Sequence, residues 1–171
     1  MSKVLMVIAP TMFRDEEYAL PREILLKAGA DVVTASTVPG ICTGKLGMKA
    51  EATLALDKAD ADDYDAILFV GGAGASVFFD DPSAHALAKH ALEDMRVVGA
   101  ICVAPSILAH AGLLEGKRAT AFPSQEHDMV QHGAIWTGDP VTVSGRIITA
   151  NGPEAAHDFG TAVAQALGMA S

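Results

Sequence analysis

The chain has 171 residues, half of them apolar and 19 % charged, with 12 Lys and Arg against 21 Asp and Glu. That composition excludes a disordered chain, and the length suits one domain able to bury roughly 70 % of the surface its unfolded form exposes. A net charge of −9 argues against a nucleic-acid or anionic-membrane binder, because phosphate contacts need clustered Lys and Arg.

Nothing approaches an 18-residue apolar stretch, and the opening Met-Ser-Lys leads into no secretory signal, so a cytoplasmic protein is expected. Val4–Ala9 is continuously apolar and rich in β-branched residues, which predicts a strand buried on both faces. Asp15–Ala28 reads as a helix, with Leu20, Ile24, Leu25 and Ala28 at helical spacing and Gly29 as a stop. Pro21 either kinks that helix or begins its main body. Asp31–Ser36 is a second strand. Thr37–Asp57, punctuated by Pro39, Gly40, Gly44 and Gly47, reads as a small hairpin excursion. Aspartates 57, 60, 62, 63 and 65 make a solvated, partly helical face.

Ala66–Val70 is another buried strand and ends in Gly71-Gly72-Ala73-Gly74. Asp80-Asp81-Pro82 opens a helix that runs to about Met95. Strand Val97–Ile101, helix Pro105–Ala111, short strand Arg118–Ala121 and short helix Gln125–His132 follow. Val141–Ala150 is a strand pair turning at Ser144-Gly145, and Glu154–Leu167 is a last helix. Strands and helices in alternation predict an α/β protein with a mostly parallel sheet. Ligands bind such sheets beyond the carboxyl ends of the strands, so the turns after Ala9, Val70, Ile101 and Ala150 should carry the chemistry.

Within Val97–Pro105 a buried strand runs straight into Cys102, and helix signals begin two or three residues later. That is the layout of a nucleophile elbow. Gly99, Ala100 and Ala104 leave room for a sharp turn, and the helix start behind it is expected to lower the thiol pKa. The plainer alternative is a free cysteine packed as a small hydrophobe. Gly71-Gly72 lacks the dinucleotide G-x-G-x-x-G pattern and reads better as part of an oxyanion hole. There the Gly72 and Val103 amides would converge on an oxygen of whatever Cys102 attacks. Asp15, Glu16 and Glu17 suit the helix dipole. One of the two glutamates at this sheet edge can also face the thiol, stay protonated and donate to sulfur, and the residues themselves do not choose between Glu16 and Glu17. His85/His90 and His127/His132 are five apart, not the four of a helical metal pair, so no metal site is expected. His127 reads as solvent-facing, Cys42 as structural, and Met129 and Trp136 as packing.

Taken together, these pieces resemble the DJ-1/ThiJ/PfpI family over nearly the whole chain. The resemblance is carried by the opening strand with Phe13–Glu17 and Pro21, by Thr43-Gly44-Lys45, and by Gly71-Gly72. Ala100-Ile101-Cys102 with Pro105, Ala111–Leu114, Gly116-Lys117 to Thr120, and Gly152-Pro153 extend it. It implies a flavodoxin-like three-layer α/β/α sandwich with a mostly parallel central sheet, the class I glutamine amidotransferase-like fold, as a single domain over residues 1–171. A homodimer or higher homo-oligomer is implied as well. So is a nucleophile, Cys102, hydrogen-bonded to a protonated glutamate, which the spacing to Pro21 places at Glu17. Gly71, Gly72 and Val103 match the oxyanion-binding backbone.

Two departures bear on activity. Val103 stands where PfpI-type members carry a histidine, and Phe122 where other members place one. Peptide hydrolysis needs a general acid to expel the amine, so the peptidase reading loses its means. The resemblance then implies a cysteine-dependent, cofactor-independent enzyme of glyoxalase or deglycase type. Its partner would be a small reactive dicarbonyl, methylglyoxal going to lactate, with no nucleic acid, membrane or metal involved. The rival is an oxidative-stress redox sensor or chaperone with an oxidisable Cys102. A flavin- or nucleotide-binding module would rest on the glycine turn and fold analogy alone.

Overall fold

The computed structural model describes residues 1–169. Its strands are β1 (Lys3–Val7), β2 (Thr11–Phe13), β3 (Asp31–Ser36), β4 (Gly40–Gly44), β5 (Lys49–Ala52) and β6 (Leu54–Ala55). They continue with β7 (Ala66–Phe69), β8 (Val97–Ile101), β9 (Arg118–Ala119), β10 (Ile135–Trp136), β11 (Val141–Ser144) and β12 (Ile147–Ala150). The α-helices are α1 (Asp15–Lys27), α2 (Pro82–Glu93), α3 (Pro105–His110), α4 (Glu126–Gln131) and α5 (Ala156–Ala166).

Seven strands join in the order β11-β12-β8-β7-β1-β3-β6. Every pair is parallel except the β11–β12 hairpin. The unbroken apolar run of β1 has its reason here, because both faces of the sheet are covered. Leu5 and Val7 join Ile67, Leu87 of α2 and Ile107 of α3 in one core. Val4 and Met6 join Leu25 of α1 with Phe159 and Val163 of α5 in the other. The result is the expected α/β/α sandwich. Gly99, in the middle of β8, makes room for α5: a Cβ there would lie 2.9 Å from the Phe159 ring and 2.8 Å from Leu68.

α1 passes through Pro21 without a break, so neither a helix start nor an end falls there. The proline has no N–H to offer the Glu17 carbonyl. Its compact ring instead lets α5 approach at Gly160, where a Cβ would stand 2.8 Å from the Pro21 Cα. The excursion over 37–57 contains the β4–β5 hairpin and adds β2 to it as a third strand. Asp15, at the start of α1, holds that excursion down by accepting hydrogen bonds from the Leu46 and Met48 amides at 3.0 and 2.9 Å.

Some boundaries move. α2 ends at Glu93, and Met95 takes a left-handed turn with φ 59°. β9 stops at Ala119, and Pro153–Ala155 form a 3-10 turn, so α5 begins two residues later than expected. The five aspartates are all exposed around two 3-10 turns. Among the described residues, no helix is long and apolar enough to cross a membrane.

Candidate functional site

Parallel strands deliver the turns that follow them to one edge of the sheet, and backbone hydrogen bonds tie neighbouring turns there to one another. Cys102 donates its N–H to the Ala150 carbonyl at 2.9 Å, and Phe122 donates to the Cys102 carbonyl at 2.7 Å. Arg14, just before α1, donates to the Gly71 carbonyl at 2.9 Å. Cys102 sits at φ 65°, a conformation that costs a non-glycine residue about 1–3 kcal/mol and marks the sharp strand-to-helix turn. The elbow geometry read from Val97–Pro105 is therefore present.

Glu17 and Glu16 part company on α1. Glu16 turns outward and pairs with Arg14 at 3.0 Å, a contact that holds its carboxyl below the usual range. Glu17 is fully buried and faces the Cys102 thiol and the Gly71 amide. Burial pushes its pKa up to about 8, with the thiol contact and the Arg14 charge opposing, so the carboxyl keeps its proton at neutral pH. Neither Glu17 oxygen is engaged in a fully formed hydrogen bond, which leaves an acid with unspent donor and acceptor capacity beside the sulfur.

The glycines divide their work. The amides of Gly72 and Val103 face the sulfur and favour its anion. Gly71 was expected with them, but its amide turns to Glu17 instead. What Gly71 supplies is space: a Cβ there would stand 2.5 Å from Glu17 Oε1 and 2.6 Å from the Cys102 Cβ. Gly72, at φ 98°, is pressed against the Met12 carbonyl and the Arg14 amide, where a Cβ would come within 2.5 Å of each.

The expected lowering of the thiol pKa does not occur. Burial pushes Cys102 up to about 12, the Glu17 carboxylate adds to the rise, and the Gly72 and Val103 amides only partly offset it. α3 has only six residues, so its dipole is a weak counterweight to desolvation. The Glu17 repulsion exists only when Glu17 is ionised. Burial still opposes the thiolate when Glu17 holds the proton, so the thiol proton must leave as the sulfur reacts, and the two groups titrate as a pair.

Beside the elbow opens a cleft of about 530 Å³, its walls including Arg14, Glu16, Phe122, Pro123, Asn151 and Glu154. Phe122 and Pro123 make an apolar side, while Arg14, Asn151 and the two glutamates make a polar one. Sequence reasoning did not single out Arg14, Asn151 or Glu154, although Asn151 is the first residue after Ala150, in a turn expected to matter. Among the other residues read from sequence, His127 is exposed, Cys42 and Met129 are buried, and Trp136 is half-buried against the core.

A family model for the DJ-1/PfpI family matches residues 2–166. An uncharacterized protein of Methanocaldococcus jannaschii is 40 % identical over 169 residues, covering 97 % of this chain and 82 % of that protein. A deglycase of Pyrococcus abyssi is 30 % identical over 148 residues, 86 % of this chain and 89 % of its own. The crystal structure of a ThiJ/PfpI domain protein from Brachyspira murdochii superposes with a TM-score of 0.95 at 35 % identity, covering 97 % of this chain and 96 % of that one.

Proposed function

The chain belongs to the DJ-1/PfpI family, and from that premise we propose that it is a cofactor-independent enzyme acting on small reactive dicarbonyls, converting methylglyoxal to lactate. The observation that carries the reading is a protonated Glu17 facing the Cys102 thiol, with Val103 and Phe122 at the two positions where an imidazole would serve a peptidase. Archaeal relatives named deglycases, 28–31 % identical, support the substrate class.

The steps balance with these two side chains and water. In the singly ionised pair the Cys102 sulfur attacks the aldehyde carbon as its proton passes to the Glu17 carboxylate, and Glu17 gives that proton to the resulting alkoxide, forming a hemithioacetal beside the Gly72 and Val103 amides. The Glu17 carboxylate then removes the C1 hydrogen as a proton and returns it to C2, while the hydroxyl proton on the C1 oxygen passes to the C2 oxygen, which leaves a thioester. Water, deprotonated by the Glu17 carboxylate, attacks the thioester, and the Cys102 thiolate departs from the 2-hydroxy acid. No amine leaves at any step, so one carboxyl suffices where a protease needs a histidine.

The proposal extends to a small-molecule carbonyl as the partner and to a homodimer or higher homo-oligomer in the cytoplasm. Its test is lactate formation from methylglyoxal, without glutathione, by reduced wild type, Cys102→Ser and Glu17→Gln. Turnover by wild type alone, with at least a hundredfold loss in each variant, is the expected result. Equal activity in all three would overturn the site. No turnover by wild type would move the weight to a redox sensor, in which peroxide oxidises Cys102 to a sulfinate that a protonated Glu17 holds.

A further inference from the structure

The far end of α3 carries a second constellation, remote in sequence from Cys102. His110 is the last residue of α3, Asp128 lies within α4 and His132 caps it. One ligand atom from each lies within 4.8 Å of those from the other two. His110 Nε2 is 2.9 Å from both Asp128 carboxylate oxygens. His110 has a neighbour of the kind that orients metal ligands, since Asp80 accepts from its Nδ1 at 2.7 Å. The Asp128 carbonyl accepts from His132 Nδ1 at 2.8 Å. This last contact places the His132 lone pair on Nε2. All three groups are half-buried, unlike the similar but fully exposed trio of Asp62, His90 and Asp94.

We propose that His110, Asp128 and His132 form a binding site for a divalent transition-metal ion of the zinc class. Two imidazoles and one carboxylate are the donor set such borderline ions take, with a fourth position left to water. Bonds of about 2.0–2.2 Å set tetrahedral ligand atoms roughly 3.3 Å apart, so the 2.9 Å contact between His110 and Asp128 needs to open by only a few tenths of an ångström. The two imidazole rings stack with centroids 4.5 Å apart and planes 25° apart, so one must turn before both point at a common ion. His132 is the one able to turn, giving up its Nδ1 bond to the Asp128 carbonyl, with 36 % of its side chain exposed against 18 % for His110. The ion takes the place of the proton that His110 Nε2 now shares with Asp128. That proton leaves for solvent. The occupied site would bridge α3, which begins at the elbow, to α4.

Competition with a chromogenic zinc chelator, on reduced wild type, Cys102→Ser, His132→Ala and Asp80→Asn, tests this. One zinc per chain is expected for wild type and Cys102→Ser alike, weakened at least tenfold in His132→Ala and 10–100-fold in Asp80→Asn. Circular dichroism of His132→Ala checks that its fold is intact, and Asp80→Asn, which alters no ligand, serves if it is not. Zinc not retained by wild type at micromolar concentration would overturn the proposal. So would loss of zinc in Cys102→Ser with His132→Ala unaffected, which would place the ion on the thiol. The site stands apart from the dicarbonyl reading, and each can fail without the other.

Discussion

A carboxyl buried beside a thiol carries an energetic penalty whose sign is fixed by which form water would prefer. Below the ordinary glutamate value of 4.5, Glu17 is protonated folded or unfolded and its burial is neutral with respect to pH. Between there and about 8 the unfolded chain releases a proton that the folded chain keeps, so stability falls as pH rises through that window. Glu17→Gln removes the penalty while keeping the shape and a donor toward sulfur. The variant should therefore be more stable than wild type by about 3 kcal/mol at pH 7, at 1.36 kcal/mol per pH unit, and equal to it at pH 4. Urea unfolding at the two pH values checks this. A residue that stabilises the fold when replaced, while turnover disappears, is one kept for chemistry.

At the scale of elements, the site depends on how the first turn of α1 is held against the sheet edge. Asp15 does much of this, with its buried carboxylate accepting from two amides of the excursion. Burial acts to raise its pKa, but the Leu46 and Met48 amides win and hold it below the usual range. Hydrogen bonds to a charged group contribute about 1.5–3 kcal/mol each, and one buried acceptor serves both donors here. Asp15→Ala should cost roughly 2–4 kcal/mol and speed hydrogen exchange at Leu46 and Met48, measurable by NMR, while amides of β7 and β8 stay protected. Because Glu17 is two residues along the same turn, the kcat for methylglyoxal should also fall in that variant.

The whole molecule contributes its field. With a net charge of −9 the protein repels anions and leaves neutral carbonyls alone. The kcat/KM for methylglyoxal should therefore be the same at low and at physiological salt. An aldehyde bearing a carboxylate should react faster as salt is raised, since screening beyond roughly 8–10 Å removes the repulsion. Stopped-flow or coupled-assay rates across a salt series distinguish the two. The cleft beside the elbow, at about 530 Å³, offers both a guanidinium and carboxylates on its polar side.

Local patterns were enough to read the sheet and the elbow in this chain. Val4–Ala9, Ala66–Val70 and Val97–Ile101 are apolar on both faces because helices cover both, and that requirement is written into consecutive residues. The strand-to-helix spacing around Cys102 is equally local. What spacing left open is what depends on directions in space. Glu16 and Glu17 are neighbours in sequence, and only the packing of the first turn of α1 against the Cys102 and Gly71 turns decides which points inward. Pro21 reads as a kink or a helix start until Gly160, remote in sequence, turns it into a close helix contact. At Cys102 the short helix dipole is opposed by burial of the thiol, and burial prevails because desolvation depends on the neighbours supplied by distant segments. His110 and His132 belong to no common helical spacing, so their meeting over Asp128 belongs to the tertiary structure alone: α3 and α4 pack side by side, and chain order carries no record of that distance.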